Sequence, residues 1–134
     1  MSQENVELVR GINEYFNQHG EPPWELLADD LQVRNLPDAP WQPSPGVKGM
    51  HEWIDFANEV AEEWRVEVDE YEDLGADRVL QLGRLWMKFR ATGIEGEVPL
   101  AQVLTFEDGK VKRVDSQYTR EQALEAARLR DSRD

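Results

Sequence analysis

The order of elements along the chain predicts an α+β fold, with helices first, a run of antiparallel strands next and a short helix last. Three observations carry that prediction. Apolar residues recur at spacings of three and four near 3–19 and 49–64, the helical period. After residue 65 the period drops to two. Turn signals then separate the strand-like runs, at Gly75-Ala76-Asp77, at Thr92-Gly93 to Gly96 and at Asp108-Gly109. Helices followed by a strand meander exclude a parallel βαβ arrangement. A long curved antiparallel sheet wrapped around the N-terminal helices leaves a cone-shaped hollow that encloses a pocket.

The first helix rests on Leu8, Val9, Ile12, Tyr15 and Phe16, and Gly20 is its stop. Pro22-Pro23 opens a short turn through Trp24, Leu26 and Leu27. Leu31 and Val33 alternate in a brief strand, LQVRN. The stretch 36–46, LPDAPWQPSPG, is a stiff, irregular loop, because too little chain precedes it to fold alone. The spacing of Met50, Trp53, Ile54, Ala57, Val60, Ala61 and Trp64 predicts one helix over 49–64. Val66 and Val68 then alternate with charge, and Tyr71 falls out of phase, which predicts a bulge near Asp69–Glu70. Residues 78–91 read as one long strand with Gly83 a bend, and 97–106 as another. Asp108-Gly109 turns a hairpin between Leu104/Phe106 and Val111/Val114. Thr119-Arg120-Glu121-Gln122 has the form of a capping box and opens the last helix.

The 134 residues make a single domain, 1–134, with 28 acidic and 15 basic side chains and a net charge of −13. Residues 1–77 contain 19 of the acidic and 4 of the basic groups, so the N-terminal half carries −15 and the rest +2. That balance excludes nucleic acid as a partner, since phosphate binding needs a net-basic surface. The acidic run over 59–73 reads as a solvated helix end and strand face. Apolar runs fall far short of the roughly 20 residues that span a bilayer, so no membrane association is expected. The start of the chain has no apolar signal segment, and a cytoplasmic location is the expectation. The absence of cysteine removes disulfides, thiolate metal sites and cysteine nucleophiles.

Few residues are left for chemistry. His19 and His51 are the two histidines and do not share a helical ligand spacing. Asp69, Glu70, Glu72 and Asp73 lack the spacing of a calcium loop. No metal and no cofactor is expected. Ser44 sits in Pro-Ser-Pro-Gly rather than a nucleophile elbow, and no phosphate-binding glycine loop is present. Acid–base work by carboxylates in an apolar pocket remains, which needs a base tuned by burial and a donor for a developing oxyanion.

The stretches ENVELVRGINEYFN (4–17), VKGMHEWIDF (47–56), RVEVDEYEDLGADRVL (65–80) and TFEDGKVKRVDSQYTREQALEAA (105–127) resemble the nuclear transport factor 2-like superfamily, in its SnoaL-like and ketosteroid isomerase-like branch. The resemblance spans nearly the whole chain. It implies a cone-shaped α+β barrel with a pocket between the sheet and helix 49–64, usually as a dimer, and it does not imply one activity. Members are isomerases, cyclases, hydrolases, dehydratases, binders and scaffolds. The proton-abstracting aspartate of ketosteroid isomerases lines up with Asn35, whose amide cannot accept the proton. The histidine of many SnoaL-like sequences matches Gln102, and the aspartate of SnoaL-type cyclases matches Ser116 or, shifted by one, Asp115. Asp38, Asp115 and Tyr15 are the candidate substitutes. Against catalysis, they read as a loop carboxylate, an outward strand charge and a core-edge phenol.

The expectation is therefore a small apolar ligand in a pocket built by Tyr15, Asn35, Trp53, Gln102, Leu104 and Ser116, with catalysis open, against a non-catalytic sequestering or interaction module. Trp64 reads as core on the long helix's stripe. Pro37–Pro40 and Pro40–Pro43 match P-x-x-P but read as part of a rigid lid. Leu80, Leu82, Arg84, Trp86 and Lys88 share one face of the long strand. They predict an apolar patch ringed by cations on the convex side of the sheet, and a homodimer through it.

Overall fold

Val6, Val9 and Ile12 form the buried side of helix α1 (Ser2–His19); Val9 and Ile12 belong to the stripe read from the sequence, and Val6 extends it by one turn. The structure is a computed structural model and describes residues 2–39 and 41–133, with side chains from 4 to 128. Pro40, and with it both P-x-x-P matches, lies outside the described residues. Gly20 takes a φ of 74° and its N–H donates to the Phe16 carbonyl at 2.8 Å, which stops α1. A short turn at Trp24–Leu26 leads into β1 (Leu27–Arg34), longer than the strand expected there.

Helix α2 (Val47–Val60) ends four residues before its expected limit. Ala61 and Trp64 continue the apolar spacing of the helix, but from Ala61 onward the backbone pairs with β3, opposite Phe89, and the ladder decides the conformation. Trp64 therefore belongs to β2 (Ala61–Gly75), where its ring meets Trp53 at 5.0 Å and Phe16 at 5.4 Å. Strands β3 (Arg78–Phe89), β4 (Glu95–Glu107) and β5 (Lys110–Gln117) complete a curved, unclosed sheet in the order β1-β5-β4-β3-β2. The expected bulge is present as a register shift between Val68 and Glu70. Asp108 and Gly109 both have positive φ, 54° and 78°, the requirement of a two-residue hairpin turn. One strand departs from the antiparallel expectation. β1 runs parallel to β5, because the long connection through α2 lets β1 join the edge opposite β2.

The two faces of the sheet are covered differently. On the concave face Val79, Leu104, Phe106, Val111 and Val114 pack with Val9 of α1 and Leu31 of β1. On the other face α3 (Arg120–Arg133) lays Ala123 and Ala127 over Leu80, Ala101 and Val103. Its start is a reciprocal capping box: Gln122 N–H donates to Thr119 Oγ1 at 3.1 Å, and Gln122 Oε1 accepts from Thr119 N–H at 3.2 Å.

This helix corrects the expected convex patch. Leu80 is completely buried beneath α3 and Leu82 is partly buried, so neither stands in an exposed apolar patch. Arg84, Trp86 and Lys88 remain half-buried beyond the end of α3, with partners in the same chain. Arg84 reaches Glu67 at 3.0 Å and Asp69 at 2.8 Å, the Arg65 guanidinium lies 4.0 Å over the Trp86 ring, and Lys88 lies 3.7 Å from Glu62.

Gly83 marks a close approach rather than a bend. A Cβ there would stand 1.8 Å from the Glu67 carbonyl oxygen and 2.8 Å from Val68 Cα, both backbone atoms next to the bulge. Gly83→Ala is expected to lower stability by about 1–3 kcal/mol, the ordinary cost of overpacking. A thermal melt that matches the parent protein would show that β2 yields without cost.

Candidate functional site

Side chains at every second position of β3, β4 and β5 face the concavity, and three of them are polar in one row: Gln81 opposite Gln102, and Gln102 opposite Ser116. They are joined by hydrogen bonds. Gln81 Nε2 donates to Gln102 Oε1 at 2.6 Å, and Gln102 Nε2 donates to Ser116 Oγ at 2.9 Å. From α1, Asn13 Nδ2 donates to Gln81 Oε1 at 2.7 Å and to the Tyr71 hydroxyl at 3.1 Å. The result is a directed chain from Asn13 to Ser116 that crosses the floor of the hollow, with Gln81 and Ser116 buried.

Above this chain lies a cavity of about 100 Å³. Its walls are apolar: Ile12 and Phe16 from α1, Met50 and Trp53 from α2, Leu85, Leu100, Leu104 and Val114 from the sheet. Asn35 and Leu36 close one side. Arg34, itself exposed, is the only charged residue of the lining among the described residues. Dry apolar cavities of about 150 Å³ take up benzene, so this inner chamber has the scale of roughly one ring.

A second chamber of about 220 Å³ shares Asn35, Leu36, Trp53 and Leu85 with the first, so the two are neighbours across Trp53. It is formed by Asp38 and Ala39 of the proline-rich loop, Trp41, Phe56, Met87 and Tyr118. The Tyr118 hydroxyl donates to Asp38 Oδ2 at 3.1 Å. Burial of the phenol and then the adjacent carboxylate push its pKa above the ordinary tyrosine value, so it remains a donor at neutral pH. The loop is fastened at several points. Asn35 N–H donates to Gln42 Oε1 at 3.0 Å, while Ser44 N–H and Oγ donate to Glu52 of α2 at 2.9 and 2.8 Å. These two bonds, backbone first, hold the Glu52 carboxyl below its ordinary range.

Of the residues singled out in the sequence, Asn35, Trp53, Gln102, Leu104 and Ser116 line the inner chamber together. Tyr15 does not. It is 40% exposed and its ring meets His19 in a tilted contact at 4.2 Å, because Ile12, Asn13 and Phe16 take the inward side of α1. Asp115 is buried, but on the opposite face of β5 from Ser116, opposite Val103 in the layer under α3. Strand alternation makes the one-residue shift from Ser116 a change of face. Asp38 lies in the outer chamber, bonded to Tyr118. His51 stacks on Trp24 at 4.0 Å. No group of three metal-ligating side chains occurs among the described residues, and no described helix is long and apolar enough to cross a membrane.

Sequence reading missed Asn13, Gln81, Trp41 and Tyr118. Gln81 was recoverable from the same alternation that put Leu80, Leu82 and Arg84 on the opposite face of the long strand. Asn13, a polar residue beside the apolar stripe of α1, carries no comparable signal.

Gln102→Leu is expected to destabilise the fold by about 1–3 kcal/mol, since it leaves the Gln81 amide and the Ser116 hydroxyl without their shared partner. Denaturant unfolding of this variant that leaves the midpoint unchanged would mean the chain of amides contributes nothing.

No family model matches the sequence, and no curated protein matches it. Solved structures do. An NTF2-like protein of unknown function from Burkholderia pseudomallei is 23% identical, with 93% of this chain and 95% of that one covered and a TM-score of 0.73. TerC, co-crystallised with polyporic acid, is 19% identical over 90% of this chain and 95% of its own, with a TM-score of 0.70. A candidate polyketide cyclase from Xanthomonas campestris pv. campestris is 18% identical over 90% and 94%, with a TM-score of 0.68. The α+β architecture, the curved sheet and these likenesses agree: the chain has the cone-shaped fold of the NTF2-like superfamily.

Proposed function

We propose that the chain binds a small, largely apolar molecule in the two chambers, as a SnoaL-like ligand-binding protein. The observation that carries this reading is the bonded chain Asn13–Gln81–Gln102–Ser116, which satisfies the polar floor internally and leaves apolar walls above it. Among the described residues the inner chamber has no carboxylate and no imidazole in its lining. A proton-abstracting mechanism there lacks its base. That a protein of this fold has been co-crystallised with polyporic acid supports a cyclic ligand class.

Isomerase- or cyclase-type acid–base chemistry is a second reading, favoured by one observation: Asp38 and Tyr118 form a bonded carboxylate–phenol pair in the outer chamber. No cofactor enters either reading. We also propose that two copies pair through the sheet face around Arg84, Trp86 and Lys88, beyond the end of α3. Light scattering should then give twice the chain mass, and Trp86→Glu should halve it. A parent protein of single chain mass would refute the pairing.

A neutral fluorescent probe such as N-phenyl-1-naphthylamine is expected to bind with one-site saturation. Trp53→Ala should weaken it about tenfold or more, given the apolar area a tryptophan contributes. No saturable signal, or one indifferent to Trp53→Ala, would refute the pocket.

The parent protein is also expected not to isomerise a β,γ-enone above background. Asn35 Oδ1 accepts from Leu36 N–H at 2.9 Å, and the same donor would hold an aspartate there in its charged form. Asn35→Asp should thus introduce measurable formation of the conjugated enone. Turnover by the parent at an ordinary enzymatic rate would overturn the non-catalytic reading.

A further inference from the structure

We propose that the outer chamber recognises an organic ammonium group, so that the ligand is an amphiphilic cation whose apolar part enters the inner chamber. The proposal rests on the reading of the two chambers as a ligand pocket and names the class of molecule they take.

Four aromatic rings and one carboxylate converge on the outer chamber: Trp41, Trp53, Phe56, Tyr118 and Asp38. Trp41 and Phe56 meet edge to face at 5.6 Å between centroids, so their planes are roughly perpendicular and form a corner rather than a flat wall. Asp38 and Tyr118 are the only ionisable side chains in that lining among the described residues, and no basic side chain joins them. The Tyr118 hydroxyl donates to Asp38 Oδ2, which holds the chamber's one carboxylate beside the rings. Ring faces with a fixed anion at one side suit a weakly hydrated cation, which gains both from the ring quadrupoles and from the carboxylate. A neutral ligand would leave the carboxylate unused, and an anionic one would be repelled by it.

The wider field agrees. Residues 1–77, which contribute Asp38, Trp41, Trp53 and Phe56, carry a charge of −15, and the whole chain −13. Size fits as well. At about 220 Å³ the outer chamber is the larger of the two, while the inner chamber of about 100 Å³ is walled by hydrocarbon. Arg34 lines the inner chamber and not the outer.

The test compares three probes of one shape class by calorimetry or tryptophan quenching: benzyltrimethylammonium, its neutral isostere neopentylbenzene, and phenylacetate. The ammonium probe is expected to bind about two- to fivefold more tightly than the neutral isostere, the scale of a cation–ring contact at an exposed site. Asp38→Asn, which keeps the side chain's shape, and Trp41→Ala should each remove most of that advantage. Equal binding of cation and isostere, or an advantage untouched by Asp38→Asn, would overturn the ammonium assignment while the pocket reading stands. Tightest binding of phenylacetate would overturn it too and move recognition to Arg34. Binding of none of the three would overturn both readings.

Discussion

The pairing of β3 with β4 runs without a single register shift, from Arg78 opposite Thr105 to Lys88 opposite Glu95, and everything in the concavity depends on that continuity. Because side chains alternate, an unbroken register fixes which row faces inward along the whole length. It brings Gln81, Gln102 and Ser116 into one bonded row, and it sends Leu80, Val103 and Asp115 to the layer beneath α3. A slip of one residue would exchange a hydrogen-bonded floor for aliphatic side chains and would place a carboxylate in the hollow. The other pairings do carry register shifts, among them Val68–Glu70 in β2–β3, Thr105–Phe106 in β4–β5 and Leu27–Gln32 in β1–β5.

The chemistry of the hollow follows from that floor. Gln81 and Gln102 each accept one bond and donate the next, so the row is linked within itself, with its direction set from Asn13 toward Ser116. Polar groups that are bonded to one another cost little to cover with an apolar molecule, whereas unbonded ones would demand a partner from the ligand. The carboxylates are kept at a distance, with Asp38 in the outer chamber and Asp115 on the far face of the sheet. The protein thus separates shape recognition in the inner chamber from charge at the mouth.

Much of this was legible in the sequence, and the reasons are physical. Period changes and turn residues located the helices, the Asp108-Gly109 hairpin, the bulge and the capping box to within a few residues. The inward row Gln102–Leu104 and Ser116 followed from strand alternation together with the family resemblance. What local pattern could not supply was competition between distant partners. Ala61 and Trp64 fit a helix until β3 pairs with them, and Tyr15 fits the apolar stripe of α1 until the rotation of the helix turns Phe16 inward instead. Leu80 and Leu82 have the look of an exposed patch on an isolated strand, and a terminal helix of mostly polar character covers them with two alanines. The aromatic mouth joins residues from a loop, a helix and the bend after the last strand, and no one-dimensional spacing announces it.

The parallel pairing of β1 with β5 has a consequence for how the molecule assembles. Val33 meets Val114 across that pair, some eighty positions along the chain, so loop closure of this span must precede any reward from the contact. The local hairpins β2–β3, β3–β4 and β4–β5 can form early, each across a turn of a few residues. Strand β1 can find its place only after β5 has been made and paired, and the proline-rich loop that follows β1 is fixed with it. A nascent chain therefore holds its first third without a sheet to join while the meander is being built. The concavity acquires its last wall, the one bearing Asn35 and the aromatic mouth, as a late event in folding.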